Sequence, residues 1–352
     1  MKNIIKTIVV MLTSVSLFTS ANAGALDVSG TAKATYNIVS GNDQGKGIGI
    51  TNELNFTAAG ELDNGYTWSY SMELDPADGA ASGAANNDDT KLTLTTPMGT
   101  LGIFVLEGGL DLEDGASQSV YSRPTDMGDP SATSDNFTID SYNNIQLHTA
   151  AGMLPYGMTA KIAYATDLDT TNNSGNATGA VVADAVEDAG DSATEVQIKA
   201  TPMDGLVVGA SYMSFSNEGQ ATKQQEAESG AIMATYTSGP LAVGVSEARK
   251  ATLVGSLVAG NITETVENYN QRNMSIAYAV NDDISVSYER ETSEANYILN
   301  TTAAVEQESD ALQLAYTMGG MTLAVSHGSH DNVGYVDGQN RDQTLVAMTM
   351  AF

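Results

Sequence analysis

Between positions 107 and 142 the chain carries Glu107, Asp111, Glu113, Asp114, Asp126, Asp129, Asp135 and Asp140 against one basic residue, Arg123. Carboxylates at this density gather counter-ions, and beside a narrow aqueous passage they would concentrate cations and repel small anions. Any one of them is equally well read as a solvated loop carboxylate, so the signal belongs to the group. Imidazole chemistry is sparse. His148 has no Ser-plus-acid partner nearby in sequence, and His327 and His330 lie beside Ser326 and Ser329, a weak signature for hydrolysis. Oxygen-rich runs such as Asn86-Asn87-Asp88-Asp89 and Asp167-Leu168-Asp169 suit a hard cation such as calcium. The second run has Asn172 where a calcium loop needs glycine and Thr178 where it needs a bidentate acid, so no metal site is assigned. With no zinc ligand set, phosphate-cradling loop or nucleotide motif, neither a cofactor nor an enzyme is expected.

The elements that must hold these residues are strands. From Leu26 onward about sixteen segments of roughly seven to twelve residues alternate apolar with small or polar positions. In the first, Val28, Ala32, Ala34, Tyr36 and Ile38 oppose Ser29, Thr31, Lys33, Thr35 and Asn37. In the third, Tyr66, Trp68, Tyr70, Met72 and Leu74 oppose Thr67, Ser69, Ser71 and Glu73, and the last ends its stripe Thr344, Val346, Met348, Met350 on Phe352. A soluble sandwich would have to bury each aromatic column, whereas a wall facing lipid needs no such partner.

Connections alternate in length. Short turns fall at Asp63-Asn64-Gly65, Pro97-Met98-Gly99, Met153 to Gly157, Pro202 to Gly205, Ser238-Gly239-Pro240, Asn281-Asp282-Asp283 and Gly319-Gly320. Longer polar stretches lie at 40–47, 75–89, 107–142, 167–191, 216–227, 251–268, 295–308 and 329–341. Seven hairpins plus one strand at each end make an even-numbered barrel with both termini on the short-turn side. A β-solenoid would instead repeat at fixed length. On the apolar parity, Tyr66, Tyr236, Tyr278 and Tyr316 sit near short turns and Tyr36, Tyr70, Tyr164, Tyr212 and Tyr288 near long ones, as two interfacial girdles would require. Charge breaks this parity at Arg290 and Glu247, expected at strand ends.

The first residues have the form of an export signal: Lys2 and Lys6, an apolar stretch from Ile8 to Phe18, then Ala21-Asn22-Ala23. Residues 1–23 are therefore expected to be removed, leaving a barrel over 24–352. Removal of two lysines from 14 basic residues leaves 12 against 43 acidic ones, a formal charge of 12 − 43 = −31, which disfavours nucleic acid as a partner. Without cysteine, stability has to come from a large hydrogen-bonded structure rather than disulfides. The alternation also sets aside the disordered secreted chain that so acidic a composition would otherwise suit.

Three stretches resemble the Gram-negative outer-membrane porins of the general trimeric type: Gly60-Glu61-Leu62-Asp63-Asn64-Gly65 running into Tyr66 to Leu74, Ala315-Tyr316-Thr317-Met318-Gly319-Gly320-Met321-Thr322-Leu323, and the ending at Phe352. The resemblance covers essentially the whole chain after the signal. It implies an all-β, transmembrane antiparallel barrel of sixteen strands in the outer membrane of a Gram-negative bacterium. It further implies a homotrimer, contact with outer-membrane lipid and lipopolysaccharide, and passive diffusion of small hydrophilic solutes and ions. The third external loop, folded into the lumen, would be 107–142. The family sets a basic wall cluster against that loop. The inward-parity basic residues here are Lys33, Lys91, Lys161 and Lys199, joined by the acids Glu53 and Glu73, so the arginine-rich cluster is missing and a cation-preferring pore is expected. The alternatives are a substrate-specific channel, for which the expected inward aromatics or abundant inward bases are lacking, and a barrel enzyme or adhesin.

Overall fold

The structure is a computed structural model that describes residues 26–42, 44–76, 85–127, 135–166, 168, 192–216, 223–252, 254–255, 266–299 and 302–352, with backbone alone for 75–76, 85–88, 223–224 and 254–255. The signal segment 1–23, Asp129, Asp167 and Asp169 lie outside the described residues.

Alternation produces strands throughout: β1 (Leu26–Gly41), β2 (Gly45–Glu61), β3 (Thr67–Pro76), β4 (Ala85–Thr96), β5 (Gly99–Val105), β6 (Asn144–Thr149), β7 (Thr159–Ala165), β8 (Ser192–Met203), β9 (Leu206–Ser216), β10 (Lys223–Gln225), β11 (Glu228–Ser238), β12 (Leu241–Ala251), β13 (Val254–Gly255), β14 (Val266–Ala279), β15 (Ile284–Tyr297), β16 (Glu306–Met318), β17 (Met321–Asp331) and β18 (Arg341–Ala351). All but β10 and β13 form one closed antiparallel barrel of sixteen strands, and those two pair with each other. Seven short hairpins appear where the turn residues stand; at Asp63-Asn64-Gly65 the glycine takes φ +80°, the left-handed conformation this turn requires. The stretches expected as loops at 40–47 and 329–341 are shorter, because β1, β2, β17 and β18 extend into them.

Closure occurs between first and last strands. Tyr36 stands opposite Val346 on β18 and Ile48 on β2. Beyond the ladder, Gly30 N–H donates to Phe352 O at 2.9 Å and Phe352 N–H to Gly30 O at 3.0 Å. The cylinder thus has no free edge to template aggregation.

The two faces differ as the alternation predicts. Ile50, Ile232, Met274 and Leu312 share the outer parity and are 73%, 60%, 63% and 63% exposed, which hydrocarbon tolerates and water does not. The inner parity of β15 reads Ser287, Glu289, Glu291 and Ser293, all buried. Charge on the outer face is more extensive than expected: Arg290 pairs with Glu308, Arg272 approaches Glu247 at 3.9 Å, and exposed Arg249 joins them. The expectation that such charge sits at strand ends fails: Arg272 and Arg290 stand near the middles of β14 and β15, and Glu247 lies within the 11 residues of β12. Each arginine there faces a glutamate on the adjacent strand, which lowers the cost of an outward charge.

Candidate functional site

The chain leaves β5 at Leu106 and returns at β6, and the intervening segment includes three single 3-10 turns, Asp114–Ala116, Pro124–Asp126 and Ile139–Ser141. Its partners are inner-parity side chains of nearly every strand from β8 to β18. Glutamine amides donate to its carbonyls: Gln197 to Leu110 at 2.7 Å, Gln313 to Ser122 at 2.5 Å and Gln343 to Met127 at 2.7 Å. Serine hydroxyls serve its amides, with Ser275 Oγ accepting from Gln118 N–H and Ser287 Oγ from Val120 N–H, each at 3.0 Å. A segment with so little regular structure can be withdrawn from bulk water because the wall supplies the hydrogen bonds a sheet would have supplied.

Small inner residues make room for it. Leu112 and Ala116 pack on Ala231, Met233 and Ala248, and Met127 packs on Ala311, Ala324, Leu345 and Ala347. At Gly244 any Cβ would stand 1.8 Å from the Ala116 carbonyl oxygen, so the loop crosses β12 at a position only glycine can occupy.

Arg123 is the centre of the attachment. Its side chain is 7% exposed; Nε donates to Glu291 at 2.8 Å, Nη2 to Asp135 at 2.9 Å and to Thr125 Oγ1 at 3.1 Å. Asp114 pairs with Nη1, and Asp126 lies 3.5 Å from Nε. Glu291 also accepts from Thr125 N–H and Oγ1–H, while neighbouring Glu289 accepts from Ser117 Oγ at 2.5 Å and from Ser119 Oγ. Burial opposes the guanidinium charge, but Glu291, Asp135 and Asp126 outweigh it and hold the proton more tightly than usual. Burial pushes the Glu113 carboxyl up to about 7, with Asp111 adding to the rise, although Asn136 N–H donates to it. Asp126 and Asp140 are likewise raised, chiefly by burial.

A sixteen-stranded barrel with a long segment fastened after its fifth strand narrows the choice of family, and comparison decides it: the family profile described as Gram-negative porin matches residues 9–349. The chain belongs to the Gram-negative porin family. Its fold is similar to that of OmpF from Salmonella typhi, solved with daunomycin, at TM-score 0.66 and 14% identity, covering 94% of this chain and 98% of that one. Outer-membrane-expressed OmpT of Vibrio cholerae gives 0.63 at 14% identity over 95% and 100% of the two chains. An anion-selective porin from Comamonas acidovorans gives 0.63 at 10% identity over 94% and 100%. No curated protein sequence matches the chain. The porin is thus an outer-membrane diffusion channel and not an enzyme.

Within this porin the residues singled out from sequence divide into groups. Asp114, Arg123, Asp126 and Asp135 meet in one cluster, and carboxylate oxygens of Asp111, Glu113 and Asp114 lie within 4.8 Å of one another. Glu107 pairs with wall Lys91 at 2.7 Å. Glu53 accepts from Thr31 at 3.2 Å, Glu73 stands opposite Asp88, and Lys33, Lys161 and Lys199 form no ion pair among the described residues. Asp140 keeps to its own end of the loop near Gly109 and Asp111. The two histidines expected together on a strand end face opposite ways: His327 meets Thr344 on the outer parity and His330 meets Ser309 on the inner. Sequence reading missed Glu289, Glu291 and Asn273. Their inner parity was legible in β14 and β15, but which wall positions a loop would visit was not.

Proposed function

We infer that this porin is a general diffusion channel for small hydrophilic solutes whose lumen prefers cations, with segment 107–142 folded inward as its constriction. One observation carries the reading: the loop's sole arginine is 7% exposed, whereas the carboxylates around it, Asp114, Asp126 and Asp135, are 54%, 49% and 46% exposed. The positive charge is consumed in fastening the loop while the negative charges still face solvent, and in a low-dielectric passage such an imbalance raises local cation concentration. The uncompensated wall lysines Lys33, Lys161 and Lys199 oppose this bias without matching its number.

Polar hydroxyl positions complete the lumen on β3, β4 and β5 near their short turns. Ser69 bonds Thr93 at 2.7 Å and Thr95 bonds Thr100 at 2.9 Å, leaving a wetted surface without an aromatic ladder that would select sugars. The reading includes export on residues 1–23, assembly as a homotrimer, as OmpT of Vibrio cholerae is described in a trimer form, and contact with lipopolysaccharide. Planar-bilayer recording across a potassium chloride gradient tests it. A reversal potential of the sign set by cation flux supports the assignment, and the opposite sign overturns it, since the Comamonas acidovorans porin has the same fold and is anion-selective.

A further inference from the structure

The footprint of the loop on β6, β7 and β8 stops just short of three basic residues. On β6, Asn144 donates to Glu107 O at 3.1 Å and Gln146 to Gly108 O at 2.5 Å, and the next inner residue is His148. On β7, Ala165 and Ala163 are fully covered in the cluster that holds Leu110 and Ile139, and the next inner residue is Lys161. On β8, Glu195 accepts from Ile139 N–H at 2.8 Å and Gln197 donates to Leu110 O at 2.7 Å, and the next inner residue is Lys199. The first inner position past the loop is thus basic on three consecutive strands, and all three side chains are partly exposed. They lie on the side of the short turns at Met153 to Gly157 and Pro202 to Gly205. His148 stands opposite Lys161, and Lys161 and Lys199 are diagonal neighbours, within reach of one another for long side chains. Lys161 acts electrostatically on His148, and Lys199 on Lys161. None of the three forms an ion pair among the described residues.

We propose that His148, Lys161 and Lys199 form a binding site for a compact phosphate-class polyanion in the short-turn vestibule of the pore, on the far side of segment 107–142 from the long-loop mouth. The proposal rests on the diffusion-channel reading and adds to it a site of opposite charge to the constriction. Two ammonium groups held side by side on a low-dielectric wall repel, and an anion lying between them relieves that repulsion. Lysine meets phosphate as a point charge, whereas planar carboxylates are best matched by the arginine fork, which is missing here. Three strands span about 10 Å, wider than one phosphate and suited to two linked phosphoryl groups. The imidazole is set for the same task. Gln146, whose amide nitrogen is committed to Gly108 O, turns its oxygen to His148 Nε2 at 2.7 Å, so that nitrogen donates and Nδ1 is left to meet a ligand. Glu195 does not neutralise the site, because it lies two inner positions away from Lys199 beneath the loop. The exposed loop carboxylates repel an anion arriving from the long-loop mouth, so access is from the short-turn side.

The test is single-channel recording of the full barrel in a planar bilayer, in dilute potassium chloride free of divalent cations, with inorganic pyrophosphate added to one compartment and then to the other. Reversible block is expected from one compartment at a concentration at least about tenfold lower than from the other. Lys161→Gln/Lys199→Gln should raise the half-blocking concentration at least about tenfold. Lys161→Arg/Lys199→Arg keeps both charges and should stay within about threefold of the parent, a contrast that misfolding cannot imitate; heat-modifiable gel mobility confirms that each barrel is closed. No block from either compartment, equal block from both, or block that the glutamine variant leaves unchanged overturns the site. The reversal potential of the same barrels without pyrophosphate reads cation preference by itself, so failure of the site and failure of the channel reading are told apart.

Discussion

Arg123 Nε and Glu291 Oε1 lie 2.8 Å apart across 168 positions of sequence, both side chains 7% exposed, and this contact joins the loop to the β15 wall. Removing one member of a buried pair strands the other, at a cost of about 3–5 kcal/mol. Arg123→Met is the harsher change, because it takes from Asp114, Asp126 and Glu291 the cation they share and leaves Asp135 with Lys250 beside it. It is expected to loosen the loop, seen as faster proteolytic cleavage between 107 and 142 and as noisier open-channel current. Arg123→Met/Glu291→Met should be milder than the sum of the singles. Additive effects would mean that the two residues act on the loop independently.

Glu113 gives the attachment a pH dependence of defined sign. Its pKa is raised from 4.5 to about 7, first by burial and then by Asp111. The docked loop therefore holds this proton more tightly than a free one. The resulting stabilisation is fully present below about pH 4.5 and disappears as pH rises through about 7, a swing on the order of 3 kcal/mol. Glu113→Gln, kept neutral at every pH, should flatten that slope. Hydrogen exchange of loop amides between pH 5 and 8 reads it directly; equal slopes in parent and variant would refute the assignment.

Much of this architecture was legible in the chain because one physical rule, alternation between hydrocarbon and water, is written at every second residue. Tyr36, Ile50 and Val346 declare their face with no knowledge of their neighbours, and Asp63-Asn64-Gly65 declares its turn. The loop was legible as a length and a charge, but its path was not. Gly244, Ser275 and Gln313 are ordinary inner-wall residues until Ala116, Gln118 and Ser122 lie against them. Such contacts join positions far apart in sequence through side chains of no special chemistry, so no local pattern announces them. The same limit hid Glu289 and Glu291, whose alternation reads as pore lining although their hydrogen bonds fasten the loop.

The barrel seam makes a separate demand. A Cβ on Gly30 would lie 2.5 Å from the Glu53 carbonyl oxygen and 3.0 Å from the Phe352 ring. Gly30→Val is expected to cost about 1–3 kcal/mol through overpacking, and, because it sits where first and last strands close, to lower the folded fraction. Phe352→Ala opens space without a clash and should be milder. Gel mobility of unheated samples after refolding measures both, and a Gly30→Val barrel that closes as completely as the parent would disprove the constraint.

Lys161 and Lys199 test the electrostatics of the lumen from β7 and β8. His148 pairs in register with Lys161, and Thr159 with Lys199, so the two lysines are diagonal neighbours on β7 and β8 with inner parity. Neither is neutralised by an ion pair among the described residues, unlike Lys91, which Glu107 holds. They oppose the carboxylates of the loop, and reversing their sign removes the opposition. Lys161→Glu/Lys199→Glu should shift the reversal potential further toward the cation limit, with about a twofold or larger rise in the cation-to-anion permeability ratio at 0.1 M salt, where the Debye length is about 10 Å. At 1 M that length falls to about 3 Å, and the shift should shrink accordingly. A change in selectivity independent of salt would point to altered pore width. No change at either concentration would mean that permeating ions do not pass near these side chains, so the negative bias of the lumen is set by the loop carboxylates alone.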